Sequence, residues 1–486
     1  MFEKQSIAKV LAGSISPDGT YYDMEVAKLA LDGSLEWGWT LDHAQAEFAH
    51  GVVRTTDGGF VIVGSGEAVG SLSCVLVVKF NALGDLLWSR AVSEQASNHA
   101  FALAVAATDD GGIVVSGVYV DAGRDLPFVL RFDQQGTLQW KYIYQFAGTD
   151  MGKATCITTV ADGGYLVGGY QNGNGGVAAR GWIMRLDAVG QSLWSKRLGQ
   201  NSTIGGVASN GSAEYVFGGS VDGTLGSGGY SDLLMFKIDV NGQLVWDALV
   251  GTGGDESGNG ITRTADDGYV AGGSITAGAG QQTYLAKVND TGQLLWTRKI
   301  GGFFSTYECD AIGSKPSGGL ALGVRSSDGT QLDMGLVLTN NLGMPCPLCV
   351  VDSGGSIAHG ITMDDFPVTR IIVADTLPYP LTMTATGTSA VVCDGVGIAQ
   401  ISDGAERLII APQPMSGSAT VTVPGSWLRA GDIELTLFDE LGKEVAHFAI
   451  RHSTSTIARG PLSAGVYHYR ISRGASIFAT GNMMME

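Results

Sequence analysis

A chain of 486 residues can bury a large core and by length alone holds roughly two to four domains. Its 29 basic against 47 acidic residues give a net charge of −18, which repels phosphate backbones and anionic lipid and disfavours nucleic acid and direct binding to a lipid surface. No apolar run approaches the length of about 18 residues that a transmembrane segment needs.

Glycine is abundant (73 residues), hydrophobic residues make up 44% and charged ones only 16%. That mix suits many short strands joined by tight turns; it lacks the glycine period of collagen and the polarity of a disordered chain. The start, Met1-Phe2-Glu3-Lys4-Gln5-Ser6, has neither the basic head nor the apolar core of a signal peptide.

From there the chain repeats itself about every 50 residues. A Gly-x-x-x-Trp spacing recurs as Gly33/Trp37, Gly84/Trp88, Gly136/Trp140, Gly190/Trp194, Gly242/Trp246 and Gly292/Trp296. The clearest repeat reads as four strands: Gly51–Thr55, Phe60–Gly64, Cys74–Phe80 and Leu86–Ala91. The turn Asp57-Gly58-Gly59 joins the first pair, and short β-branched runs punctuated this way are the hairpin signature. The turn returns as Asp110-Gly111-Gly112, Asp162-Gly163-Gly164, Asp267-Gly268 and Ser317-Gly318-Gly319, while the fifth repeat has Gly211-Ser212-Ala213 instead. A cation recurs before the fourth strand (Lys79, Arg131, Arg185, Lys237, Lys287), with Asn81, Asp133, Asp187, Asp239 or Asn289 two residues on. These read as turn chemistry and solvated edges.

Repeat boundaries fall near 1–41, 42–92, 93–144, 145–198, 199–250, 251–301 and 302–350. Four strands per repeat predict an all-β fold, a seven-bladed β-propeller over 1–350 followed by a small C-terminal β-sandwich. The first repeat is short, since Ile7–Ser14 matches a second strand with nothing before it. An incomplete blade leaves an unpaired edge. Ala358-His359-Gly360-Ile361-Thr362 resembles Ala49-His50-Gly51-Val52-Val53, so residues near 357–363 are expected to complete the first blade; a truncated gene start is the rival expectation.

Six indoles at one repeat position are expected to wedge between neighbouring blades. Each offers about 150–250 Å² to bury. Trp182 and Trp427 fall outside the register and are freer to be exposed. The spacing resembles the tryptophan-docking repeats of quinoprotein-type propellers, fully matched only at Thr291-Gly292 with Trp296. The resemblance implies architecture and no quinone. No cofactor is expected, with calcium the candidate for so acidic a surface.

No H-E-x-x-H, serine elbow or phosphate loop is present, so no catalytic residue is assigned. Aligned by repeat, His50, Thr155, Asn259 and Asp310 share one position at the entry of the inner strand, where a propeller opens its central channel. They form the candidate ligand-binding rim. Glu47, Asp150, Asp255 and Glu308 lie just upstream and would add cation affinity. Cys346-Pro347-Leu348-Cys349 has no second pair for zinc. A disulfide between Cys349 and Cys393 is preferred, Cys309–Cys346 being a second option, and Cys74 and Cys156 read as buried thiols.

Residues 351–404 form a connector in which the repeat dissolves. From Ile409 onward, strands at Ala419–Val423, Ile433–Phe438 and Val466–Ile471 read as a β-sandwich over 405–486. Pro412-Gln413-Pro414, Leu437–Val445, Leu462–Tyr467 and Thr480–Met485 closely resemble the C-terminal sorting domain of type IX secretion cargo of Bacteroidota. That resemblance implies partnership with the type IX machinery and an extracellular or outer-membrane-surface location, and hence a signal peptide missing from this N-terminus. The functional expectation is a binding module for a glycan, a protein or a surface. The alternative is an extracellular polysaccharide hydrolase or lyase, since propellers host such enzymes at the channel mouth.

Overall fold

The computed structural model describes residues 9–15, 22–30, 35–42, 46–68, 72–92, 99–146, 151–173, 177–209, 213–222, 231–252, 254–277, 280–300, 306–315, 318–327, 332–344, 350–352, 355–357, 363–365, 368–372, 377–378, 382–385, 388–391, 398–402, 409–411, 417–423, 425–428, 432–438, 443–463, 465–473 and 476–485. Antiparallel strands dominate, and the helical content among the described residues is the single turn Gly425–Leu428. The chain divides into two compact units, Met1–Ile401 and Ser402–Glu486.

The second repeat shows how each unit is built. Glu47–Arg54, Phe60–Ala68, Leu72–Phe80 and Leu86–Val92 pair consecutively as an antiparallel meander. In its first turn Thr55 N–H bonds Gly59 O at 2.9 Å, and Gly58 sits at φ +81°, open to glycine at no steric cost. Asp57 Oδ1 accepts from Thr55 Oγ1 and Gly59 N, locking the corner. In the turn before the fourth strand, Asn81 Oδ1 accepts from Leu83 N and Asp85 N, both at 2.9 Å. Asp133, Asp187, Asp239, Asn289 and Asn340 cap their turns in the same way, so this part of the expected turn chemistry holds.

The tryptophans face the next repeat along the chain. A β-carbon on Gly84 would lie 2.7 Å from the Trp37 ring, one on Gly136 2.7 Å from Trp88, one on Gly292 2.7 Å from Trp246 and one on Gly343 2.5 Å from Trp296. Trp140 and Trp194 cover Gly190 and Gly242 likewise. The turn glycine thus combines a positive φ with the flat seat on which the preceding indole lies. Trp88, Trp194 and Trp246 also donate Nε1–H to Gln134 O, Val240 O and Asp290 O in that turn. Trp182 corrects the sequence reading. It is fully buried on a third strand, edge-on to Phe146 at 5.4 Å, because that strand lies between two layers of apolar side chains. Trp427 is half-buried against the C-terminal core.

The recurrent cations are not solvated edges either. Lys79 is 2% exposed and pairs with Asp57 at 2.6 Å; Arg131, Arg185 and Lys287 are buried against Asp110, Asp162 and Asp266 at 2.6, 2.5 and 2.6 Å. Each pair joins the third strand to the Asp of the first hairpin turn, so the cation crosses the sheet beneath the turn. The fifth repeat has no such Asp. Lys237 there reaches Glu214 at 3.1 Å and Asp290 of the next repeat at 2.5 Å. A buried cation deprived of its partner is costly, which explains why a substitute is supplied.

The connector runs along the outer edges of the repeats in reverse order. Val350–Asp352 pairs with Thr297–Lys299, Gly355–Ile357 with Leu249–Gly251, Met363–Asp365 with Lys196–Leu198 and Val368–Ile372 with Tyr142–Phe146. Leu377–Pro378 then pairs with Arg90–Ala91 and Thr382–Ala385 with Trp39–Asp42. Finally Ile398–Ser402 pairs with the seventh-repeat strand Leu332–Leu338 and carries Thr388–Val391 on its far side. The expectation that residues near 357–363 complete the first repeat is therefore wrong. Ile357 lies opposite Leu249 and Met363 opposite Leu198, and residues 358–362 lie outside the described residues. The open edge that needed covering was the outer one of each repeat, not only the inner one of the first. The first repeat, Lys9–Ile15, Asp23–Leu29 and Leu35–Asp42, gains Thr382–Ala385 on its outer side and shares a core of Leu11, Ala27 and Leu29 with Ala321, Leu336 and Leu338 of the seventh.

In the second unit, Ile409–Ala411, Ser418–Thr422 and Thr454–Ala458 form one sheet, and Glu444–Ile450, Ile433–Phe438, Gly465–Arg473 and Ser476–Met485 another. Both contribute to one core containing Val421, Ile457, Leu435 and Ile471. Pro412-Gln413-Pro414 and Asp439–Gly442 lie outside the described residues.

Gly136→Ala combines a left-handed backbone with an indole in the way, whereas Gly123, at φ +80°, has open space where a β-carbon would go. Gly123→Ala is expected to cost about 1 kcal/mol and Gly136→Ala about 2–4 kcal/mol by urea unfolding. Equal losses would show that the indole contact contributes nothing. The bonds from Lys287 and Thr264 lower the pKa of Asp266 from 3.8 to about 2. A folded pKa below the unfolded one stabilises above about pH 4, and that stabilisation disappears as pH falls towards 2. The stability gap between the wild type and Asp266→Asn should therefore close over that window in denaturant midpoints measured at stepped pH.

Candidate functional site

Inner strands of the second to seventh repeats share a defect. Register slips between Ala49 and Gly51, Ala102 and Ala104, Ala154 and Cys156, Ile204 and Gly206, Gly258 and Gly260, and Cys309 and Ala311. Each slip leaves one residue as a β-bulge: His50, Leu103, Thr155, Gly205, Asn259 and Asp310. The rim position read from the sequence is thus a bulge position, where a side chain is re-aimed out of the sheet pattern. Leu103 and Gly205 belong to the same set, and neither carries a polar group that would mark the position in the sequence.

The bulge also explains the glycines of the second strand. A β-carbon on Gly64 would fall 1.7 Å from Phe48 O, and on Gly117, Gly169, Gly219 or Gly273 about as close to the carbonyl opposite. Those glycines, one in each of the second to sixth repeats, were the sequence signal for the bulge, and the seventh has Val324 in their place.

The polar bulge residues divide by what they touch. Thr155 Oγ1 donates to Ile204 O, and Asn259 Nδ2 donates to Cys309 O at 3.0 Å. In both cases the acceptor is the residue just before the next repeat's bulge, so these two side chains latch neighbouring inner strands. Gly205 has no room for a side chain, since its β-carbon would lie 2.4 Å from Gly258 O. His50 stacks on Phe48 at 6.5 Å and, although accessible to solvent, is enclosed enough that desolvation holds its pKa below 6.5. Asp310 shares Arg325 with Glu308, the guanidinium lying 3.3 Å from Asp310 Oδ2 and 2.5 Å from Glu308 Oε2. Desolvation raises the Asp310 pKa against the pull of Arg325.

Of the upstream carboxylates, Glu47 is buried, Asp255 is exposed and Asp150 lies outside the described residues. Among the described residues no three His, Cys, Asp or Glu side chains are grouped to hold a metal ion. Cys74, Cys156 and Cys309 are buried free thiols whose pKa burial raises to about 11, about 12 and above, so Cys309 is not the partner of Cys346. Cys346, Cys349 and Cys393 lie outside the described residues.

A cleft of about 270 Å³ opens where the fifth and sixth repeats meet. Thr203, Ser220, Asp222, Asp255, Ser257 and Ser274 are among the residues that line it. Glu256 also lines it and is fully buried, with Oε1 accepting from Thr252 N at 3.0 Å and from Thr252 Oγ1, and Oε2 without a hydrogen-bond partner. Desolvation first, and the nearby Asp232 charge after it, raise its pKa to about 7 against the opposing Thr252 bonds. The repeat register did not reveal this cleft, because none of its residues forms a motif.

No family model and no curated protein matches the chain. Among solved structures, a gluconolactonase from Xanthomonas campestris is 16% identical, with 64% of this chain and 91% of that one covered and a TM-score of 0.36. Sqt1 from Chaetomium thermophilum is 12% identical, with 66% and 91% covered and a TM-score of 0.36. The extracellular domain of a putative hybrid two-component system from B. thetaiotaomicron is 9% identical, with 95% and 85% covered and a TM-score of 0.18. Likeness at this level leaves fold and function to the chain's own residues.

Asn259→Ala removes a latch and leaves Cys309 O without that donor. It is expected to cost about 1–3 kcal/mol of stability. A ligand-only role for Asn259 would leave the unfolding midpoint unchanged.

Proposed function

We propose that residues 1–401 form a closed seven-bladed β-propeller that serves as a secreted or cell-surface binding module, exported by way of the 405–486 domain through the type IX machinery. Closure is supported by the core shared between the first and seventh repeats and by the order in which the connector visits the outer edges. A sandwich in the second unit is supported by two sheets contributing to one core. Export rests on the sequence resemblance at Leu437–Val445, Leu462–Tyr467 and Thr480–Met485. Calcium remains the cation that so acidic a surface would attract.

One observation speaks against catalysis at the rim. Thr155 Oγ1 and Asn259 Nδ2 are spent on neighbouring inner strands, and Asp310 and Glu308 share one guanidinium. A glycosidase instead needs two carboxylates about 5–10 Å apart with room for water. The hydrolase alternative draws its support from Glu256, whose raised pKa suits a general acid at neutral pH.

The test is a glycan array and surface pull-down with the full chain, alongside a reducing-sugar assay on the polysaccharides that bind. Retention of one ligand class without turnover is expected. Sustained release of reducing ends, abolished by Glu256→Gln, would replace binding with hydrolysis.

A further inference from the structure

The repeats are alike in their turns, indoles and bulges, so a position at which two neighbours depart together stands out. Two residues before the bulge, paired with its cross-strand partner, the second and third repeats carry Phe48/Ser65 and Phe101/Val118. The fourth carries Lys153/Tyr170 and the seventh the ion-paired Glu308/Arg325. Only the fifth and sixth carry two small hydroxyl residues each, Thr203/Ser220 and Ser257/Ser274. All four line the cleft. The space exists because side chains that are bulky or ion-paired elsewhere are reduced to hydroxyls in adjacent repeats.

The hydroxyls are held in place. Ser257 Oγ lies 2.8 Å from Ser274 Oγ, and Ser220 Oγ accepts from Gly258 N at 3.0 Å, tying the fifth repeat to the sixth. Three carboxylates line the cleft with them, Asp222, Asp255 and the buried Glu256. Asp222 Oδ2 accepts from Asn201 Nδ2 at 2.9 Å and Asp255 Oδ1 from Ser231 N at 2.9 Å, each with its second oxygen outside those bonds. Carboxylate acceptors beside hydroxyls that both donate and accept complement a ligand whose own groups do both.

We infer that the cleft between the fifth and sixth repeats binds one neutral sugar residue through its vicinal hydroxyls. The inference rests on the binding-module reading and assigns it a location. A volume of about 270 Å³ falls at the lower limit of small-ligand pockets, about 300 Å³, which suits a single ring rather than a chain. Asp222, Asp255 and the chain's charge of −18 repel uronates and sialates. Among the described residues no three His, Cys, Asp or Glu side chains, these carboxylates included, are grouped to hold a metal ion.

The experiment is saturation-transfer NMR and calorimetry on the full chain with methyl glycosides of glucose, galactose and mannose, with glucuronate and calcium chloride as comparison probes. At least one neutral glycoside should bind in the millimolar range or tighter, and glucuronate should not. Ser257→Phe restores the bulk found in the second and third repeats and should weaken binding ten-fold or more with an unchanged melting curve. Should that variant fail to fold, Asp255→Asn decides instead, with several-fold weakening expected. Binding of no neutral glycoside, preference for glucuronate or calcium, or affinity untouched by the deciding variant overturns the inference. Glycan-array binding that survives both variants would overturn the cleft alone and leave the binding-module reading standing.

Discussion

An indole resting on a glycine of the next repeat is the contact on which the first unit depends. No repeat can bury both faces of its own sheet, so stability must come from neighbours. The Trp–Gly seat converts that general need into a fixed geometry. The glycine is required twice over, for its left-handed backbone and for the absence of a β-carbon under the ring. Inner-strand latches from Thr155 and Asn259 fix the other end of the same interface. Both contacts occur together where the fourth repeat meets the fifth and where the sixth meets the seventh.

The buried cations obey a related logic within one repeat. Placing Lys79 or Arg185 under a hairpin turn removes a charge from water, and the turn's own Asp offsets the loss. The Asp therefore has two duties, capping the turn and neutralising the third strand. The fifth repeat separates them. Its turn sequence carries no Asp, and the Lys237 charge is met instead by Glu214 and Asp290.

Legibility in the sequence follows the kind of interaction involved. Indoles, turn glycines and Asx caps act through side chains at fixed offsets, so periodicity reveals them. Cation burial was legible in principle, since Asp57/Lys79, Asp110/Arg131, Asp162/Arg185 and Asp266/Lys287 recur at nearly constant separation, but each member was read alone. The connector's path was not legible. Its strands are two to five residues long and pair through the backbone, which leaves no alternation of side chains to read. The similarity of Ala358–Thr362 to Ala49–Val53 misled for that reason, since side-chain likeness says little about which edge a short strand will cover.

The same distinction locates function. Whatever repeats serves the packing that every repeat shares with its neighbours. The polar rim drew attention as an aligned set, yet alignment is what a structural device produces, and two of its members are latches. A ligand site on a repeat architecture has to break the symmetry, and the strongest break among the described residues is the pair of hydroxyl-lined positions at the junction of the fifth and sixth repeats. Glu256 beside them carries a group whose charge is poised near neutrality, on the strand that also supplies Asp255, Ser257 and the Asn259 latch. That strand is tied to the fifth repeat through Gly258 N and Ser220 Oγ and to the seventh through Asn259 Nδ2 and Cys309 O, so a ligand in the cleft would bear on both junctions.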